Sequence, residues 1–289
     1  MAVAFWGLSF VATRIALDTL TPMTLVAARL LIGAATLFVI GRMTRRPLRV
    51  APGDRLRCFL LGLILAGHLI IQNIGLLKTT ATNTAWIIGF IPVTIALAAH
   101  VFLGERLSLR GWAGIVLGAL GILLVTTSAG LRFDDAKVGD MLQLISCCTW
   151  AAYTLVAVSA VRRNGALRVT FWSIGVAACI VTCTAGLQRS LVAPLDWKTF
   201  VAVTFLGVIC SGLAYWLWYA AIAELGASVT GAYLYLEPFV TWAAAALVLR
   251  ERLGAIGVAG GLTVLAGVWI VASSKRRDSK TSPSSSESR

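Results

Sequence analysis

Ten long apolar stretches, separated by short links that carry most of the charge, decide what this chain can fold into. They run over roughly 2–17, 22–41, 57–77, 80–103, 110–128, 138–160, 167–187, 198–221, 227–249 and 253–273. Hydrocarbon offers a backbone no hydrogen bonds. A crossing segment must therefore satisfy its own amides, and about 20 apolar residues in a helix do so across a core of about 30 Å. The composition agrees: 58% of the 289 residues are hydrophobic and 13% are charged, whereas soluble domains average about 45–50% and about 25%. The expected fold is an all-α integral membrane bundle of about ten transmembrane helices with almost no soluble part.

Lys and Arg number 25 against 12 Asp and Glu, a formal charge of +13. In a soluble domain that excess points to nucleic acid. Here the cations cluster at the ends of apolar runs, where topogenic charge belongs, so the expected partner is the lipid bilayer and not nucleic acid. With the N-terminus inside, the cytoplasmic links collect Arg42, Arg45, Arg46, Arg49, Arg55, Arg162, Arg163 and Arg168, and the basic, Ser-rich tail 274–289 joins them. The outer links hold fewer cations. Both termini are therefore expected in the cytoplasm, the chain in the inner (cytoplasmic) membrane and the tail disordered. The first stretch has only about twelve residues before Arg14, short for a span, and no basic segment precedes it as in a signal peptide; a truncated first helix is the expectation. The six cysteines form no C-x-x-C pair and neither His flanks them, so they read as small buried hydrophobes.

The chain repeats itself at an offset near 146 residues. Pro92 matches Pro238, Glu105-Arg106-Leu107 matches Glu251-Arg252-Leu253, and Gly111, Gly114 and Gly121 match Gly257, Gly260 and Gly267. Trp6 matches Trp150 at a closely similar offset. Apolar composition alone gives Leu-on-Val matches, not Pro and Glu-Arg-Leu in register. The units are 1–128 and 138–273, with five spans each. Five is odd, so the second copy enters the bilayer from the opposite side. Such an inverted repeat has two near-equivalent states, one open to each side, as alternating access requires.

Phe5-Trp6-Gly7-Leu8-Ser9-Phe10 in span 1, Ala28-Arg29-Leu30 in span 2, Pro92 to Gly104-Glu105-Arg106-Leu107 in span 4 and Glu237-Pro238 to Glu251-Arg252-Leu253 in span 9 form a set in register. The whole resembles the drug/metabolite transporter superfamily, specifically its EamA-like branch with two five-helix repeats. The resemblance covers nearly all of the chain before the tail. It departs at the short start and at Arg250, where the first repeat has Gly104. It implies export or exchange of small metabolites, amino acids or related compounds, and efflux of cationic drugs is the alternative.

A charge inside a span costs about 2.5–3.5 kcal/mol on insertion scales. Glu237 is the deepest, and Pro238 beside it cannot donate to the carbonyl of Leu234, so the helix loosens there. Pro92 frees the carbonyl of Ile88 in the same way. Two loosened helices at matching mid-depth positions point to a binding site. Thr230, Tyr233, Glu237 and Thr241 share one helical face, as do Asn83, Trp86, Phe90 and Thr94 in span 4. His68 and Gln72 in span 3, Trp150 and Tyr153 in span 6, and Tyr215 and Tyr219 in span 8 add polar and aromatic groups that suit an amphipathic or ring-bearing small-molecule substrate. Trp6 joins them as the mate of Trp150. Glu237 is expected to bind the substrate's amino group or to carry a coupling proton, and His68 is a second proton candidate. Arg29 and Arg14 could each bind a carboxylate; the other reading is structural, through an ion pair with Glu237 or Asp18 or by snorkelling. Glu105 and Glu251, at helix ends, also read as structural. The glycine stripes of spans 5 and 10 mark scaffold or a homodimer seam.

No H-E-x-x-H, G-x-S-x-G or Walker A sequence occurs, so neither an intramembrane enzyme nor an ATPase is expected, and no cofactor is implied. The orientation is testable. A cysteine placed at Ala136 should react with a membrane-impermeant maleimide on intact cells; labelling only after lysis reverses the assignment.

Overall fold

The computed structural model describes residues 1–78, 84, 87–105, 107–128, 137–185, 196–241, 243, 259–260, 262–271 and 273. Among them α-helix dominates and no strand occurs. Helix α1 is Ala2–Leu17, and α2, Pro22–Met43, starts on Pro22, where a missing N–H costs nothing, with the Thr21 hydroxyl accepting from Thr24 N. A 3₁₀ turn, Pro52–Asp54, leads into α3, Arg55–Lys78. Helices α4 (Ile91–Leu103), α5 (Leu109–Ser128), α6 (Lys137–Asn164) and α7 (Ala166–Ala185) follow. Helix α8, Trp197–Leu225, is capped by Asp196, whose Oδ1 accepts from Thr199 N at 2.8 Å. Those bonds from Thr199 hold the Asp196 carboxyl below its ordinary pKa. Helix α9 begins as Ala227–Ala232, and α10 is Leu262–Val271. Among the described residues, five segments suffice by length and composition to cross a membrane: Pro22–Met43, Pro52–Lys78, Val138–Asn164, Ala166–Thr184 and Trp197–Leu225.

Regular helix fails at three places. A turn at Gly89–Phe90 precedes α4, with Phe90 N bonded to Ile87 O at 3.0 Å, and Pro92 falls in the first turn of α4. A 3₁₀ turn, Tyr233–Leu236, interrupts α9 before Glu237 and Pro238. Both breaks lie where the prolines withdraw a backbone donor. The third is a π-helical stretch, Leu206–Leu213, inside α8. No proline marks it.

The helices pack as an inverted repeat. Swapping the halves exchanges α1 with α6, α2 with α7, α3 with α8, α4 with α9 and α5 with α10. The main contacts obey that exchange: α3 lies along α6 as α8 lies along α1, α2 lies along α8 as α7 lies along α3, and α2 meets its own mate α7. The glycines give the direction. A Cβ on Gly114 would stand 2.8 Å from Gly267 O, and one on Gly121 would stand 2.8 Å from Gly260 O. Gly114 and Gly260 are mates, as are Gly121 and Gly267, so the exchange turns each contact into the other. As α5 ascends in number α10 descends, so the mates run antiparallel. These glycines are used within the chain, the scaffold role expected of them. A hydrophobic cluster of Ile115, Tyr235, Val264, Val268 and Val271 joins α5, α9 and α10, and the larger core lies among the other helices.

The link between α2 and α3 straps the first half to the second. Arg168 Nε donates to Pro47 O at 2.8 Å, Trp172 Nε1 to Leu48 O at 2.8 Å, and Ala51 N to Asn164 Oδ1 at 2.8 Å. The buried Asp54 carboxylate accepts from Arg163 Nε at 3.0 Å, from Arg163 Nη2 and from Asn164 Nδ2 at 2.7 Å. Charged, multiply bonded acceptors of this kind are the stronger class of hydrogen bond. The corresponding junction, between the end of α1 and the start of α8, has a hydroxyl pair, Thr19 Oγ1 and Thr199 Oγ1, at 2.9 Å.

Glu105, expected to be structural, caps α9. Its oxygens accept from Ala227 N at 3.0 Å, Ser228 N at 3.0 Å and Ser228 Oγ at 2.7 Å. Glu251 lies outside the described residues. The fold makes two predictions. A Cβ at Gly267 would lie 2.6 Å from Gly118 N, an atom that cannot rotate away. Gly267→Val should therefore lower stability by about 1–3 kcal/mol, the usual cost of overpacking, read as a reduced unfolding midpoint in detergent; an unchanged midpoint refutes the α5–α10 approach. Asp54→Ala should lower the midpoint as well, and Arg163→Ala combined with it should add little, because the two remove one interaction.

Candidate functional site

Among the described residues, the breaks before α4 and inside α9 border one cavity, and the π-helical stretch leads into Tyr215 on its wall. Its wall takes Trp6, Ser9 and Phe10 from α1, Arg29 from α2, and His68, Leu69 and Gln72 from α3. The segment before α4 and its first residue give Ile88 and Ile91, α6 gives Trp150, α8 gives Tyr215, and the broken part of α9 gives Leu234 and Glu237. The empty space is about 420 Å³, its mouth included.

Trp6 and its repeat mate Trp150 touch edge to face, with centroids 5.1 Å apart and planes at 87°. Residues related by a two-fold that touch each other lie at the axis, so the cavity is built where the halves meet. Tyr215 closes the cluster at 5.3 Å from Trp6 and 5.6 Å from Trp150. Trp6 Nε1 donates to Cys210 O at 3.0 Å, within the π-helical stretch. The His68 ring lies 5.1 Å from Trp150, and its Nδ1 is 3.2 Å from Ser146 O and 3.0 Å from Thr149 Oγ1. Because a carbonyl only accepts, Nδ1 carries the proton in that arrangement. Gln72 faces the cavity while its backbone carbonyl accepts Gln143 Nε2 at 2.9 Å.

Glu237 is buried, and its carboxylate has no hydrogen bond or ion pair among the described residues. Its backbone is pressed by α1. A Cβ on Gly7 would stand 2.9 Å from Glu237 O, and Thr241 Oγ1 donates to Gly7 O at 2.9 Å. Only a glycine lets α1 pass so close to the acid.

Six of the expected site residues thus meet in the cavity: Trp6, His68, Gln72, Trp150, Tyr215 and Glu237. Tyr153 and Tyr219 do not line it. They stack on each other behind it at 5.5 Å, with Tyr153 5.5 Å from Trp150 and its hydroxyl 3.2 Å from Ser173 Oγ. Tyr233 stays at the start of the 3₁₀ turn, outside the cavity lining, because that turn breaks the regular face on which it was aligned with Glu237. Asn83 and Trp86 lie outside the described residues.

Arg29, expected either to bind a carboxylate or to pair with Glu237 or Asp18, has no ion pair among the described residues; it is buried, lines the cavity and donates Nε to Ser211 Oγ at 2.9 Å. Its place inside a span is the signal that marks it. Ser9 and Trp218 were missed. Trp218 stands three residues after Tyr215, on the same face, and backs Trp6 at 5.4 Å. Among the described residues no three His, Cys, Asp or Glu side chains stand together as metal ligands.

The arrangement places an acid and a guanidinium in one aromatic-walled chamber, with walls from both halves. Comparison with known proteins gives the family. The model of the EamA-like transporter family matches residues 1–127 and 137–273. An uncharacterized transporter of Archaeoglobus fulgidus is 27% identical over 277 residues, covering 93% of this chain and 94% of its own. A probable amino-acid metabolite efflux pump of Escherichia coli is 26% identical over 281 residues, covering 93% of this chain and 92% of its own. A solved crystal structure shares the fold with a TM-score of 0.78 at 19% identity, covering 96% of this chain and 95% of that one. The chain belongs to the EamA-like transporter family and is a multi-pass membrane transporter, not an enzyme.

Proposed function

We propose that the chain is a secondary carrier that exports a small amphipathic metabolite, an amino acid or close relative, across the cytoplasmic membrane by alternating access. One observation carries the reading: Arg29 from the first half and Glu237 from the second line the same cavity, and no ion pair joins them. Opposite charges left unpaired at one site suit a zwitterion, with the guanidinium for a carboxylate and the acid for an ammonium. The rings of Trp6, Trp150 and Tyr215 suit the apolar part. The Escherichia coli relative, a probable amino-acid metabolite efflux pump, supports both the substrate class and the direction. An inverted repeat, with its mates α5 and α10 running antiparallel, suits a carrier that opens to each side in turn. With no ATP-binding motif in the sequence, an ion gradient supplies the energy, and Glu237 or His68 is the group to carry a coupling proton.

The aromatic walls favour one rival, efflux of organic cations, through attraction of a cation to ring faces. Arg29 separates the two. In proteoliposomes, Arg29→Gln should abolish amino-acid flux if a carboxylate is bound, and should leave flux of an organic cation intact or raised if the substrate is a cation. Glu237→Gln keeps the shape and removes the acid. It should insert normally, retain its unfolding midpoint and lose at least about tenfold in flux, the worth of about 1.4 kcal/mol. Full flux in that variant, with unchanged dependence on pH, refutes the role of Glu237. A lower midpoint restored by Arg29→Leu shows a structural pair instead.

A further inference from the structure

We propose that the seam between α4 and α6 binds an anionic phospholipid, with an acyl chain in an apolar groove and the phosphate at Arg162. Two hollows lie along these helices. The larger holds about 930 Å³ of empty space, open on one side, between Ala98, Phe102 and Leu103 of α4 and Ala152, Leu155 and Val156 of α6. The smaller, about 600 Å³, is bordered by Leu103, Glu105, Ser159, Arg162 and Arg163. Leu103 belongs to both, so the apolar groove runs into the charged hollow. The groove face lies within the bilayer-crossing part of α6. Alanines on both helices make it deep, and Phe102, 77% exposed, stands at its rim.

The dimensions fit one leaflet. From Cys148, at the far end of the groove, to Arg162 is fourteen residues of unbroken α6, about 21 Å at 1.5 Å per residue. Half a hydrocarbon core is about 15 Å. A chain that starts in the groove therefore reaches the headgroup layer at Arg162.

The charges select the headgroup. Arg162 is exposed and makes no ion pair or hydrogen bond among the described residues. Arg163 and Arg57, whose Nη1 donates to Ser159 Oγ at 3.2 Å, share the Asp54 carboxylate and together leave one net positive charge beside it. Among the described residues the one acid at the rim is Glu105, whose oxygens are occupied by the first residues of α9. An anionic headgroup thus meets one unpaired guanidinium with a second net positive charge behind it, whereas the ammonium of a choline headgroup meets repulsion. Helix α4 comes from the first half and α6 from the second, so the lipid spans the boundary between them.

Native mass spectrometry of the full chain in mild detergent tests this. Supplied with phosphatidylglycerol and phosphatidylcholine at equal concentration, the protein should retain phosphatidylglycerol several-fold in excess. Arg162→Gln should bring the ratio close to one. Ala152→Trp, which fills the groove, should reduce retention of both lipids. If either variant fails to fold, the unsubstituted protein still decides: added salt should lower retention of phosphatidylglycerol and leave phosphatidylcholine unchanged. Equal retention of the two lipids, or a preference unmoved by salt and by Arg162→Gln, overturns the proposal. So does a dimer cross-linked through Cys148, which shows the groove to be filled by a second copy.

Discussion

Trp6 Nε1 donates to the carbonyl of Cys210, and the centre of the molecule depends on that bond. An indole N–H buried in hydrocarbon gains most from a carbonyl that is not also serving the helix ladder. In α8 the register changes. Ala214 N reaches back five residues to Ile209 O, and the carbonyl of Cys210 accepts the indole instead. Irregular backbone is tolerated at membrane depth only where protein buries it or a cavity receives it. Here it does both. It fixes the ring of Trp6 against Trp150 and Tyr215, and one residue later it presents Ser211 to Arg29.

The interlock runs in both directions. The second half's π-helical stretch orients Trp6 and Arg29 of the first half. The first half's Gly7 lets α1 lie on the backbone of Glu237, and its carbonyl takes the hydroxyl of Thr241. Neither five-helix unit builds the chamber alone. A duplication kept only for packing needs no such exchange of side chains at the axis.

What was legible in the sequence follows from how local each signal is. Helix positions follow from apolar length, which the bilayer fixes, and the breaks at Pro92 and Pro238 follow from a missing N–H. Both are properties of one segment. The π-helical stretch of α8 was not legible, because its cause lies in α2. Gly207 and Gly212 there meet Ile32 and Thr36, and no proline or charge announces the contact. The bond from Arg29 to Ser211 was not legible for a related reason: the two residues lie 182 positions apart. Tyr233 was placed on the face of Glu237 by assuming regular helical spacing through the turn whose Leu234 carbonyl Pro238 was expected to free. Tyr153 and Tyr219 carry the right chemistry at the right depth, but stacking on each other draws them behind Trp150.

Links between membrane helices are ordinarily the parts of a transporter that accept insertions, since few contacts cross them. The α2–α3 link is otherwise. Through Pro47, Leu48, Ala51 and Asp54 it is bonded to Arg168, Trp172, Asn164 and Arg163 of the opposite half. An epitope or fusion partner threaded into it would cut a cross-brace, not lengthen a tether. Motion that parts the halves at this end must strip four backbone-bonded or charged partners from one another together, whereas the described counterpart between α1 and α8 gives up a neutral hydroxyl pair. These bonds hold as a set, so the link behaves as a clasp between the halves and not as slack between two helices.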